Sequence, residues 1–173
     1  MVKNAYIVKL TLLLVSLLPD TKLYKLKTRI LKLQGFDVDY SVRIVSSLKI
    51  LGLPDLSIKK DTFIGHFCKI YGTGVVNIGS CVDIAPEVSL ITGTHDINTD
   101  GSRVAGKGKC VDIFIGDNTW IGTGCVVLGG TTIGKNCMVA AGSVVKGDYP
   151  DFSFIGGNPA KCIKPINELF NVQ

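Results

Sequence analysis

The sequence is poor in the residues that would build a zinc centre, a disulfide scaffold or a membrane span. Its six cysteines form no CxxC pair, which excludes a zinc knuckle or redox dithiol of that kind. Aromatics make up 8% of the chain, and Trp120 is the single tryptophan; the interior must be narrow and aliphatic. The longest apolar run, residues 10–18, stops at Pro19 after about half the length that a bilayer crossing needs. It is Lys-flanked like a signal peptide, but only Pro19-Asp20 follows, not a small-x-small cleavage site. Acid is nearly absent from the first 35 positions. There Asp20 stands against Lys3, Lys9, Lys22, Lys25, Lys27, Arg29 and Lys32, a local +6 in a chain of net charge +5. A basic end on a near-neutral body predicts a local anionic partner and argues against nucleic-acid binding.

What the chain has in quantity is order at a period of six. Ile115, Ile121, Val127, Ile133, Val139 and Val145 recur at that spacing. One place on come Gly116, Gly122, Leu128, Gly134 and Ala140; four places on come Thr119, Cys125, Thr131, Cys137 and Ser143. Helices and strands repeat at about 3.6 and 2 residues, so neither accounts for it. A strict six is the signature of a parallel β-helix of hexapeptide repeats, with branched aliphatics filling each coil and small residues at its corners. Cys68, Cys125 and Cys137 fall on the small inward place, while Cys81, Cys110 and Cys162 are scattered. Buried free thiols point to a reducing compartment.

In chain order, residues 1–35 read as an N-terminal helical segment, 36–166 as the β-helix and 167–173 as a tail. The segment 1–18 is expected to be a short helix packed on the body or on another subunit. A second helix is expected to reach about Gln34, capped by Asp20 or Thr21 and stopped by Gly35. Its stripe of Leu23, Leu26, Ile30 and Leu33 lies away from Lys22, Lys25, Arg29 and Lys32. Such a helix either packs its apolar face inward or lies on an anionic membrane surface. Val38, Ile44 and Ile50 already step by six before Leu51-Gly52-Leu53-Pro54 breaks the frame. A clean run follows from Ile58, Ile64 and Ile70, with a two-residue slip near Gly72-Thr73-Gly74 before Ile78, Ile84 and Leu90. The count gives four regular coils, with a polar loop at 93–112 expelled between the second and third. A long loop in a metered solenoid is usually functional.

These hexads, together with Thr94-His95-Asp96, residues 117–122 (DNTWIG), 141–145 (AGSVV) and 157–161 (GNPAK), resemble the hexapeptide-repeat acyltransferases. They are most similar to the branch of maltose and galactoside O-acetyltransferases and the O-acetyltransferases of bacterial surface polysaccharides. The resemblance covers residues 36–166. It implies a left-handed parallel β-helix working as a homotrimer, with acetyl-CoA in the groove between subunits and a histidine as general base. By motif, His95 matches that base, Trp120 an aromatic of the coenzyme groove, and Ala141 a corner residue whose backbone faces the pantetheine. Lys161 and Lys164 stand where the family often has arginines near the coenzyme phosphates. Lys146 is a further candidate there, although Lys146-Gly147 departs from the Thr-Lys that often follows 141–145.

Acetyl transfer to a hydroxyl needs a base, oxyanion stabilisation and a shared binding site. His95, at the mouth of the loop, suits the first role better than His66, which lies inside a regular coil. Asp96, Asp83, Glu87 or a backbone carbonyl could orient its second ring nitrogen. Corner amides at Gly122-Thr123 or Ala140-Ala141 are the candidate oxyanion donors. The resemblance implies O-acetylation of a carbohydrate hydroxyl in a capsule, lipopolysaccharide or exopolysaccharide, or in its lipid-linked precursor. Acetylation of an amine, serine or antibiotic, or a non-catalytic assembly role, are the alternatives. No metal is expected: the carbonic anhydrases built on this solenoid use three histidines, and only one of the two here is well placed. The expected location is cytoplasmic, with the basic end at the inner membrane face.

Overall fold

In the computed structural model, residues 4–169 are described. The hexad aliphatics all point inward: of Val38, Ile44, Ile58, Ile64, Ile78, Ile84, Ile121, Val127, Ile133, Val139 and Val145, none exceeds 2% exposure. Parallel pairing stacks them in columns. Val38 pairs with Ile58, Ile44 with Ile64 and Ile50 with Ile70, so the early coils take 20 residues each. Ile115 pairs with Ile133 and Ile121 with Val139, giving 18-residue coils later.

This pairing corrects the count. The interruption at 51–54 stacks directly beneath 71–74, since Leu51 pairs with Tyr71 and Asp55 with Val75. Frame break and slip are one feature, a longer third face repeated in successive coils. The solenoid therefore has five full coils and a partial sixth at Tyr149 and Ile155, and the insertion leaves between the third and fourth. It is not a structureless loop. Gly93–Ile97 and Ala105–Cys110 pair as an antiparallel hairpin.

One seven-stranded sheet forms one face of the prism, and a nine-stranded sheet bent over an edge forms the other two. Turns at 60–61, 80–81, 117–118 and 135–136 build the first edge. Those at 66–67, 86–87, 123–124 and 141–142 build the second, and 72–74, 93–112 and 129–130 the third. The small residues have two distinct jobs. At Gly116 and Gly122 an added Cβ would come within 2.6 Å of the backbone of the next coil. At the inward place, Thr62, Thr119 and Cys125 donate to Gly79 O, Gly134 O and Ala140 O of the coil above.

Two helices close the first coil: α1 (Ala5–Ser16) and α2 (Tyr24–Leu33). Asn4 caps α1 through its side chain. For α2 the expected cap is not used: Leu23 takes the position in a left-handed conformation (φ 56°), with no side-chain cap from Asp20 or Thr21. Gly35 does end the helix, at φ 83°.

The orientation of α2 reverses the simple reading. It buries Lys27, Thr28 and Leu31, while Leu23, Leu26 and Leu33 are 51%, 43% and 70% exposed. The cause lies in the ladder. Each coil's carbonyls accept from the coil before, as Ile64 O accepts from Val45 N, and the first coil has none before it. The ammonium of Lys27 donates to Ile44 O (3.2 Å), Pro19 O and Asp20 O, and that of Lys32 donates to Val38 O (3.1 Å). Two cations thus satisfy the open edge, as buried acceptors require.

Candidate active site

His95 sits on the first strand of the hairpin, opposite Gly108, with Cys110 two places along on the same face. Its Nδ1 lies 3.0 Å from Gly106 O. A carbonyl can only accept, so Nδ1 carries the proton and Nε2 keeps its lone pair, the tautomer of a general base. Of the glycines at 106 and 108, only the first is required by close packing. A Cβ on Gly106 would come within 2.5 Å of Asn98 Oδ1, while one on Gly108 would be 3.8 Å from His95 Cε1. Asn98 in turn ties the hairpin end through Val104 O and Arg103 O.

The orienting group is therefore a backbone carbonyl, one of the options open from the sequence. Asp96 is engaged elsewhere, its carboxylate paired with Lys109. Asp83 lies on the seven-stranded face, 3.9 Å from Arg43, and Glu87 occupies a second-edge turn. Neither contacts His95. His66, half-exposed, faces Asp20 at 3.8 Å.

A cavity of about 470 Å³ opens over the imidazole, lined by Thr73, Gly93, Thr94, His95, Gly108, Lys109 and Cys110. Thr73 and Cys110 were not legible as site residues. Their hydroxyl and thiol are 3.1 Å apart, and this hydrogen bond lowers the thiol pKa from its ordinary value. Buried Cys68 behaves oppositely: burial pushes it up to about 11.

The corner candidates divide cleanly. Gly122 N donates to Val139 O and Ala140 N to Ile155 O, both spent on the ladder. The amides of Thr123 and Ala141, one residue further on and exposed at the second edge, have no acceptor among the described residues. At the first edge two of the four equivalent amides are capped from the next coil, Ser80 N by Asp117 and Lys135 N by Asp151. The second edge thus leaves two donors in adjacent coils pointing outward.

Trp120, 50% exposed, stands on the adjoining face in a row with Met138, Phe154 and Lys164. Lys161 is exposed beside it on the terminal hairpin, and the Lys164 ammonium reaches Glu168 O. Lys146 follows the fifth coil, near the third edge. One chain thus places His95 on the third edge and the open amides on the second. The face of the prism separates them.

The model for the bacterial transferase hexapeptide, six repeats, matches residues 112–147, the heart of the fourth and fifth coils. Those coils carry the repeat of the bacterial hexapeptide transferases. A maltose O-acetyltransferase from Clostridium difficile 630 is similar to this hexapeptide-repeat protein at TM-score 0.72 and 27% identity, over 94% of this chain and 86% of that one. So is a hexapeptide-repeat acetyltransferase of Vibrio cholerae, complexed with acetyl coenzyme A, at TM-score 0.67 and 26% identity over 94% and 90%. The solenoid is accordingly a left-handed parallel β-helix. The galactoside O-acetyltransferase of Lactococcus lactis is 36% identical over 91 residues, 53% of this chain and 44% of the relative. The chain spans about half the length of the curated relatives it matches.

Proposed function

We propose that this hexapeptide-repeat protein is an O-acetyltransferase that moves an acetyl group from acetyl-CoA to a carbohydrate hydroxyl. The observation that carries the reading is the split between a histidine in base tautomer on one edge and two uncapped amides on another. A second copy beside the first would bring the two together, which makes a homotrimer with shared sites the natural assembly. His95 Nε2 takes the acceptor hydroxyl's proton while Gly106 O holds the opposite ring nitrogen and steadies the imidazolium. Thr123 and Ala141 N–H groups donate to carbonyl oxygens of the acyl donor, where fixed dipoles are most effective. Trp120 and the lysines at 161 and 164 suit the remainder of the coenzyme, and acetyl-CoA supplies the activated acyl group. The family likeness supports an acceptor among sugars, and the polysaccharide or lipid-linked acceptor belongs to this proposal.

The test is thiol release from acetyl-CoA with a panel of sugars, aminosugars, serine and lipid-linked glycan. His95→Ala should cut turnover about 10²–10⁴-fold with the assembly intact by sedimentation. Unchanged turnover in that variant would remove His95 from the chemistry. Turnover confined to amines would replace the hydroxyl acceptor.

A further inference from the structure

The helices that close the solenoid leave their own apolar surfaces uncovered. In α1 only Val8 and Val15 are buried; Ile7, Leu10, Leu14 and Leu17 are between 54% and 76% exposed. A helix apolar on nearly every side is ordinarily covered on every side. In α2 the exposed stripe of Leu23, Leu26 and Leu33 runs beside the exposed cations Lys22, Lys25 and Arg29. Between α1 and the first two coils lies a groove of about 730 Å³, lined largely by apolar side chains that include Leu10, Leu13, Leu48, Ile50 and Phe67. Lys9, Lys49 and Asp20 are its charged lining residues.

Phe67 adds a second kind of evidence. It holds φ at 56° and is 55% exposed. At the matching turn the third coil has Glu87, also left-handed at φ 64°, and the fourth and fifth carry Gly124 and Gly142. A bulky aromatic in the left-handed region is a costly choice for a solvent-exposed corner. The corners impose this conformation on non-glycine residues elsewhere too, as at Asp61, Cys81 and Glu87; here it sets an aromatic side chain at the groove.

We propose that α1 and α2 dock on an anionic lipid bilayer, with a lipid acyl chain entering the groove beside Phe67. Charge decides between occupants. Among the described residues Lys9, Lys22, Lys25 and Arg29 are exposed there against Asp20, a surface charge of +3, so pairing this surface with its own copy would oppose like charges, whereas anionic headgroups complement it. Length fixes the geometry. No helix among the described residues is long and apolar enough to cross a membrane; at 12 residues α1 spans about 18 Å. It lies in the interface, apolar face down, with cations at headgroup level. This inference goes beyond acetyl transfer and stands without it.

The experiment is co-sedimentation of the full chain with phosphatidylcholine vesicles, with and without phosphatidylglycerol. The wild type should pellet with the anionic vesicles, and raised salt should weaken the binding. Leu10→Asp/Leu14→Asp should lower affinity more than tenfold with an unchanged melting curve, since both side chains already face solvent. Lys22→Ala and Lys25→Ala should each lower it about fivefold. Phe67→Asn should raise thermal stability by relieving the corner while weakening lipid binding. Absence of vesicle binding, or equal binding by wild type and the Asp pair, would overturn the proposal. So would dissociation of an oligomer by that pair, which would assign the face to a subunit contact.

Discussion

Cys110 and Lys27 each carry chemistry that their neighbours in sequence conceal. Cys110 shares a hairpin face with His95, and its hydrogen bond with Thr73 lowers the thiol pKa towards thiolate, the reactive form. Iodoacetamide should therefore label Cys110 well ahead of buried Cys68, Cys125 and Cys137, and the adduct should obstruct the 470 Å³ cavity. Mass spectrometry of the labelled peptide, read beside residual turnover, checks this; Cys110→Ser should be active and insensitive. Lys27 is fully buried, with burial lowering its pKa and Asp20 opposing that shift. A cation so depressed binds fewer protons folded than unfolded, so its contribution to stability rises as pH climbs from the folded pKa towards 10.5. Lys27→Met would leave three carbonyls without this donor, at about 1–3 kcal/mol. The variant should also lose that alkaline increment, visible as the difference between the two proteins' urea midpoints across pH. His95 stood out as a candidate through its place at the loop mouth and the family resemblance, with His66 as the other histidine. Cys110 did not, since strand pairing rather than sequence distance brings it to the imidazole.

Among elements, the repeating corner was the most legible and the helix α2 the least. Six-residue spacing reports side chains alternating between interior and surface around a turn, so the inward column can be read directly. The open amides are harder, because a capped and an uncapped N–H have the same residue pattern. Pro86 supplies a way to test them. It occupies in the third coil the place that Thr123 and Ala141 hold in the fourth and fifth, so the backbone there accepts proline. Ala141→Pro should keep the fold and delete one donor, lowering kcat/KM about 10²-fold or more if the amide meets developing charge. A parent-like kcat/KM in a folded variant would exclude that role. For α2, amphipathicity gave an apolar and a basic side but not which one meets the body. The answer depends on unpaired carbonyls of a distant coil.

For the whole molecule, the separation of His95 from the second edge predicts complementation. His95→Ala and Ala141→Pro chains, each impaired alone, should regain activity when co-assembled, because some shared sites then contain both intact parts. Thiol release from the mixed oligomer, compared with either variant alone, measures this; no recovery would place the whole site within one chain. Sequence could indicate the solenoid but not the coil count, since 20-residue and 18-residue coils share the same hexads. Only strand pairing reveals that the early faces are longer.

The lysines over the first coil also bear on solubility. A parallel β-helix is a short piece of a structure that could continue indefinitely, each coil offering the next a complete set of hydrogen bonds. Val38 O and Ile44 O are where another coil would add, and Lys32 and Lys27 occupy them. The ammonium groups are end-stops: they satisfy the same acceptors as a stacking strand but present no ladder of their own. Without both, the protein would keep its interior and gain a sticky end, and the expected fault is growth into filaments rather than unfolding.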